Sequence, residues 1–127
     1  QYCFDLDMLK PYMSKVVDTR LHAKEFVLPG VGPLASARAA EWIRSNVAGV
    51  HIPDSIIARL AGAENQKQEG INICTEMAAA VKEIEGVHGV HIMAYRMEYA
   101  VAEIVEKSGV LGDRKPWYPT RDKPAQA

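Results

Sequence analysis

The chain has 127 residues, 48% of them apolar and 24% charged, which fits one globular domain or part of one. Fifteen basic against sixteen acidic residues give no field to hold nucleic acid or an anionic membrane, and no apolar run approaches the ~20 residues of a membrane span. Cys3 and Cys74 are too few for a disulfide framework, and no basic-then-apolar signal segment opens the chain, so a reduced, cytoplasmic setting is expected.

Gln1-Tyr2-Cys3-Phe4 has the aromatic character of a strand and stops at Asp5-Leu6-Asp7, where either aspartate is placed to cap a helix. Leu6, Leu9, Met13, Val16 and Val17 give that helix an apolar stripe, and Pro11 blurs its start. Glu25 to Leu28 reads as the first clear strand, short and rich in aromatic and β-branched residues. Pro29-Gly30 is expected to end its ladder, because proline donates no hydrogen bond and glycine permits unusual dihedrals. Val31-Gly32-Pro33-Leu34 then reads as a loop with little bulk, where backbone could approach a ligand closely.

Ser36 is placed to cap a helix through Ala40, Ile43 and Val47. Ile52-Pro53-Asp54 opens a short helix with Pro53 in its first turn and Ile56, Ile57 and Leu60 on its apolar face. Ala63 to Glu69 is polar and reads as a loop. Ile73, Met77, Val81 and Ile84 then recur along one face of a long helix, closed by Gly86. Val90 to Met93 is the second strand. The last helix carries Met97, Val101, Ile104 and Val105 and ends at Ser108-Gly109. Residues 112–127 form a polar, Pro-rich tail, expected to be poorly ordered, with Trp117 and Tyr118 available to pin it to a neighbouring surface.

The order is strand, helices, strand, helix. It predicts an α/β architecture of parallel strands joined by crossover helices, with active sites at the strands' C-terminal ends. Few strands are visible, the chain opens inside strand-like sequence, and it does not begin with Met. The expectation is therefore the end of a larger barrel.

The polar residues separate into several groups. His88 and His91 are spaced like a metal pair, but on a strand they point to opposite faces and no third ligand lies nearby, so no metal site is expected. His91 reads as a packed or hydrogen-bonded strand residue, and His22 and His51 as solvated turn residues. Cys74 reads as a small core residue. Cys3 could face a site, but no paired base marks it as a nucleophile, and no catalytic residue is assigned. Glu98, Glu103 and Glu106 read as the solvent face of the last helix. Pro29-Gly30-Val31-Gly32-Pro33 has neither dinucleotide nor P-loop spacing and reads equally as a tight strand-to-helix turn. Arg96 sits where a strand meets a helix start, which the helix dipole does not favour for a cation. It serves either an anionic group or a surface ion pair. Gln1 could hydrogen-bond a polar ring.

From Gln1 to about Leu111 the pieces resemble the C-terminal part of methylenetetrahydrofolate reductase. Gln1-Tyr2-Cys3-Phe4-Asp5 is similar to the family's Gln-aromatic-x-Phe-Asp strand end, and Val27-Leu28-Pro29-Gly30-Val31-Gly32-Pro33 to its I-P-G-I-x-P loop. Ile52-Pro53 with Arg59-Leu60, the Gly70-Ile71 helix start and Gly89-Val90-His91-Ile92 follow in family order.

The resemblance implies the C-terminal portion of a (β/α)8 TIM barrel, over residues 1–111, with about three strand-helix units plus extra helices. It implies reduction of 5,10-methylenetetrahydrofolate to 5-methyltetrahydrofolate in one-carbon metabolism. FAD would be the cofactor, with NADH, NADPH or an electron-transfer subunit as donor. A homo-oligomer is a further expectation. Gln1 and Arg96 match family substrate-binding residues. Ala39 and Ile43 stand where the family has a glutamine and a phenylalanine, and Ile92-Met93-Ala94-Tyr95 replaces its aromatic-Thr-Leu-Asn, which points to a divergent branch. The acid glutamate and most FAD contacts are expected before Gln1, so this stretch alone is expected to be inactive. The alternative is a non-catalytic barrel relative or interaction subunit binding a pterin or a protein partner.

Overall fold

Asp5 starts the first helix. Its carboxylate accepts hydrogen bonds from the backbone N–H of Asp7 (2.9 Å) and Met8 (3.3 Å), and α1 runs over Leu6–Asp18. Pro11 lies inside the helix without ending it, and Met13 and Val16 are its buried residues. The computed structural model describes residues 1–115 and 117. The rest of the 112–127 tail, including Tyr118, lies outside the described residues, and Trp117 is exposed.

After a single 3-10 turn at Leu21–Ala23 come β1 (Gly30–Val31), α2 (Ala37–Asn46), α3 (Asp54–Ala61) and α4 (Gln66–Lys82). β2 (His91–Ile92), a 3-10 turn at Glu98–Ala100 and α5 (Val101–Ser108) complete the order. β1 pairs with β2 in parallel, Gly30 opposite His91 and Val31 opposite Ile92. Tyr2 makes a parallel bridge to Gly30, and the Cys3 N–H donates to the Gly30 carbonyl at 2.7 Å. Three parallel segments therefore lie side by side in chain order, each reached from the last through helices, in a helix-rich α/β arrangement.

The strands are shorter and later than the sequence predicts. Glu25 to Leu28 is not a strand, and Phe26 is 84% exposed. Val27 is held instead by His88, whose N–H donates to the Val27 carbonyl (2.9 Å) and whose Nδ1 accepts from the Val27 N–H (3.1 Å). Pairing begins where the backbone can reach its neighbours: His91 N–H donates to the Pro29 carbonyl (2.9 Å) and Met93 N–H to the Val31 carbonyl (2.7 Å). Pro29 enters the ladder as an acceptor, the one role its ring leaves it. The Pro-Gly pair thus opens the ladder instead of ending it, and Val31 is strand, not loop. The second strand likewise narrows from Val90–Met93 to His91–Ile92.

Helix starts follow their caps. The Ser36 hydroxyl accepts from the Ala39 N–H at 3.1 Å, and the Gln66 side chain reaches across to accept from the Ala37 N–H at 2.9 Å. α4 begins within the segment read as a polar loop, because Asn65 caps it by accepting from the Gln68 N–H at 3.1 Å. Pro53 is the residue before α3, not a residue of its first turn. α4 closes at Glu83, and Gly86 supplies the left-handed turn beyond it (φ 85°). Gly109, also left-handed, ends α5 as expected.

α4 is the centre of the molecule. Ile71, Cys74, Ala78 and Val81 pack with Val31 and Ile104 in one apolar cluster. Ile73 joins Leu34, Ala40, Ile52 and Leu60 in a second. Each Val, Leu or Ile among them taken out of water stabilises the fold by about 1.5–3 kcal/mol before chain entropy is counted. Gly70 lets α4 lie directly on the loop after β1: a Cβ there would overlap the Leu34 backbone. Arg59 ties α3 to α4, gripping the Glu76 carboxylate with two bonds (2.6 and 2.8 Å) and also pairing with Glu69.

Candidate functional site

The C-terminal ends of the parallel strands run into Gly32-Pro33-Leu34 after β1 and Met93-Ala94-Tyr95-Arg96 after β2. Between these loops and the start of α4 lies a cleft of about 430 Å³. Tyr2, Leu34, Ala39, Ile43, Lys67, Tyr95 and Arg96 are among the side chains that line it. The structure thus brings Arg96 together with Ala39, Ile43 and Tyr95, all at positions where the sequence departs from the pattern it resembles. Sequence reasoning missed Tyr2, Lys67 and Tyr95. Only Tyr95 carried a signal, its place beside Arg96 at a strand end.

The glycines of the first loop serve the protein's own packing. A Cβ at Gly32 would strike the Tyr2 ring and the Met93 carbonyl, and one at Gly30 would strike the Met93 side chain and the Gln1 carbonyl. Tyr2 fills that room and its hydroxyl donates to the Met93 carbonyl at 3.1 Å. The close backbone approach to a ligand expected at Val31-Gly32-Pro33-Leu34 is therefore taken up by Tyr2 and Met93. Burial pushes the Tyr2 phenol above its ordinary pKa.

Arg96 adopts a left-handed backbone (φ 58°), uncommon for a residue with a side chain. Its N–H donates to the Glu98 carboxylate at 3.0 Å, which helps hold that turn. Its guanidinium stands 6.0 Å from the Tyr95 ring centroid. Among the described residues no carboxylate lies within ion-pairing distance of that guanidinium. Among the described residues the surface ion pair weighed for Arg96 in the sequence does not form.

Gln1 lies elsewhere. Its side-chain amide donates to the Ala48 carbonyl at 3.2 Å, and it lines a separate cleft of about 530 Å³ with Cys3, Asp5, Met8, Tyr12 and Leu28. Successive residues of an extended chain point to opposite sides. Tyr2 and Phe4 stack on one side, ring centroids 5.5 Å apart, while Gln1 and Cys3 face the other.

His51 pairs with Asp5 at 3.0 Å. His22 is not a simple solvated turn residue: it is half-buried, and its Nδ1 is buried without a hydrogen-bond partner. His91 was expected to be packed or hydrogen-bonded, but its side chain is exposed at the short β2. Among the described residues no group of three or more His, Cys, Asp or Glu side chains could hold a metal ion. Cys74 is buried as expected, and burial pushes its thiol up to about 12. Cys3 is also raised, first by burial, which disfavours a thiolate there. Glu98 and Glu106 are exposed. Glu103 is half-buried and works structurally, holding Lys107 (2.6 Å) and the Gln68 amide (3.1 Å), which together keep its carboxyl below the usual range.

Among the described residues no seat for a flavin is assigned: the Gly30–Gly32 turn is occupied by Tyr2 and Met93, and the lining of the Arg96 cleft, with its two cations, contains no glycine to bring backbone close to a pyrophosphate.

A sequence model of the methylenetetrahydrofolate reductase family matches residues 1–109. Comparison with curated proteins finds no match, and neither does comparison with solved structures. Among the described residues no helix is long and apolar enough to cross a membrane.

Proposed function

The chain belongs to the methylenetetrahydrofolate reductase family, and from that premise we propose that it supplies the substrate-binding loops of a flavin-dependent enzyme reducing 5,10-methylenetetrahydrofolate. Membership makes it part of an oxidoreductase family with a folate theme. The three parallel segments are read as consecutive strands of a (β/α)8 barrel, with α2 and α3 as additions over the C-terminal end. What supports the reading most is the position of the Arg96 cleft. It opens at the C-terminal ends of parallel strands, where such folds place their chemistry, and it lies within the matched residues.

In this reading Arg96 binds the anionic end of the folate and Tyr95 and Ile43 pack on its aromatic part, while Gln1, matched to a substrate residue in the sequence, faces the neighbouring cleft and is given no contact in the Arg96 cleft. FAD would supply hydride transfer when bound, and no residue of this chain is assigned to it. Strands outside this chain would hold it. A bound-flavin spectrum from residues 1–127 alone would sink that assignment.

The reaction is tested in the full-length protein. Under anaerobic conditions NADH or NADPH should bleach the flavin, and methylenetetrahydrofolate should restore its colour. A flavin that is reduced but never reoxidised by the folate would favour the second reading, a non-catalytic relative that binds a pterin or a protein. Ala39 and Ile43 are the observations behind that alternative, since they line the cleft with less polar and less aromatic surface than the family pattern has.

A further inference from the structure

We propose that Tyr2 is a positioning residue: its hydroxyl braces the loop after β2 and so sets where the Arg96 guanidinium stands. The proposal rests on the folate reading above only for what Arg96 binds. The Tyr2 hydroxyl donates to the Met93 carbonyl at 3.1 Å, passing Gly32, and so ties together two segments that each pair with β1. The phenol ring is itself fixed. It stacks on the buried Phe4, with ring centroids 5.5 Å apart, and lies in the space that Gly32 leaves by having no Cβ. The bond from the Cys3 N–H to the Gly30 carbonyl (2.7 Å) holds the backbone next to it. The resemblance read from the sequence accounts for an aromatic ring at this position but not for the bond to Met93. That acceptor lies in Ile92-Met93-Ala94-Tyr95, the stretch where the sequence departs from the pattern.

Met93 is a fixed point just before Arg96. Its N–H donates to the Val31 carbonyl (2.7 Å), and its own carbonyl is the one that Tyr2 holds. Beyond it Ala94 and Met97 are buried and joined by a bond from the Met97 N–H to the Ala94 carbonyl (2.9 Å), while Tyr95 and Arg96 between them are exposed. Arg96 is left-handed, and its N–H donates to the Glu98 carboxylate on the far side of the turn. A residue with a side chain stays left-handed only where its surroundings over-determine it. Here Tyr2 fixes the entry to the turn and Glu98 the exit. The guanidinium makes no ion pair among the described residues, so its direction is set by the turn and by the Tyr95 ring beside it. Burial raises the pKa of the Tyr2 phenol, which keeps the donated proton in place at neutral pH.

The test is a double-mutant cycle in the full-length protein, read as the Kd for 5-methyltetrahydrofolate. Tyr2→Phe keeps the ring beside Gly32 and removes only the hydroxyl. It should weaken binding about three- to tenfold, as loss of one hydrogen bond that aims a charged contact would. With Arg96→Ala already in place, the same change should alter binding by less than about twofold. An equal loss in both backgrounds would make Tyr2 a direct ligand contact, and a lower melting temperature with an unchanged Kd would make it packing alone. Either result overturns the proposal. Amide hydrogen exchange without ligand reads the brace apart from the folate. Exchange at the Arg96 and Met97 amides should quicken about three- to tenfold in Tyr2→Phe, and unchanged exchange would overturn the proposal as well. If the unaltered protein binds no folate, the folate reading fails, while quickened exchange still upholds the brace.

Discussion

The Arg96 cleft and the Gln1 cleft are close in size, about 430 and 530 Å³, and both touch the same short parallel sheet. They differ in what surrounds them. The Arg96 cleft is walled by the loops after β1 and β2 and by the start of α4, and its two cations have no acidic neighbour in the lining. The Gln1 cleft is walled by α1 and the segment before β1, contains Asp5, and has its one amide satisfied by the Ala48 carbonyl. Among the described residues Lys67 and Arg96 make no ion pair, which leaves their charge open to an anionic ligand, whereas the Gln1 cleft carries a carboxylate of its own that opposes one. Strand alternation creates the split, because neighbouring residues of one extended segment must face different surroundings.

The largest expected effect is on the wall of the Arg96 cleft. Gly70→Ala should destabilise the protein by about 2 kcal/mol, since overpacking against the Leu34 backbone outweighs the better helix propensity of alanine. Urea unfolding measures it, and an unchanged midpoint would mean that α4 does not press on the cleft loop. Next, Arg96→Ala should weaken folate binding about tenfold, as loss of a charged contact worth about 1.4 kcal/mol would. Equal binding by the variant would move the anion site away from this cleft.

The Arg59 clasp gives a pH test. Its hydrogen bonds hold the Glu76 carboxyl below the ordinary range. A carboxyl depressed in the folded state stabilises above its unfolded pKa and loses that contribution as pH falls through the folded value. Glu76→Gln should therefore flatten the acid limb of the stability–pH curve, by about 0.5 kcal/mol for so exposed a pair. An identical acid limb would deny the clasp any role in fixing α3 on α4. The smallest effect is expected from Gln1→Ala, about 0.5 kcal/mol or less in stability from one exposed hydrogen bond. A tenfold loss of folate binding in that variant would erase the distinction between the clefts and make Gln1 a direct ligand. Thiol labelling adds a check: at pH 8 Cys74 should stay unreactive until the protein unfolds, because burial keeps it protonated.

Much of the helical framework was legible. Asp5 and Ser36 cap the helices they were expected to cap, and the stripe of Ile73 and Val81 marks the buried side of α4. The site was legible in part. Arg96 drew notice from its place at a strand end, but Lys67 looked like any charge in a polar run. Read locally, Ala63 to Glu69 is a loop. It becomes helix from Gln66 onward because Asn65 caps it and because Gln66 bonds the start of α2, a partner 29 positions away.

The sequence by itself determined the family, the order of strands and helices and most helix caps, because caps and periodic stripes depend on residues within a turn or two of one another. Only the tertiary structure decided where the strands begin, and it did so against local composition. Phe26 and Leu28 look like strand residues but remain exposed, while Gly30 looks like a terminator and pairs on both sides. Pairing depends on which backbone can come close. Glycine at positions 30 and 32 admits Tyr2 and Met93, whose approach no local pattern contains. The same long-range packing gathered Lys67 and Arg96, 29 residues apart, into one cleft and turned Gln1 away from it.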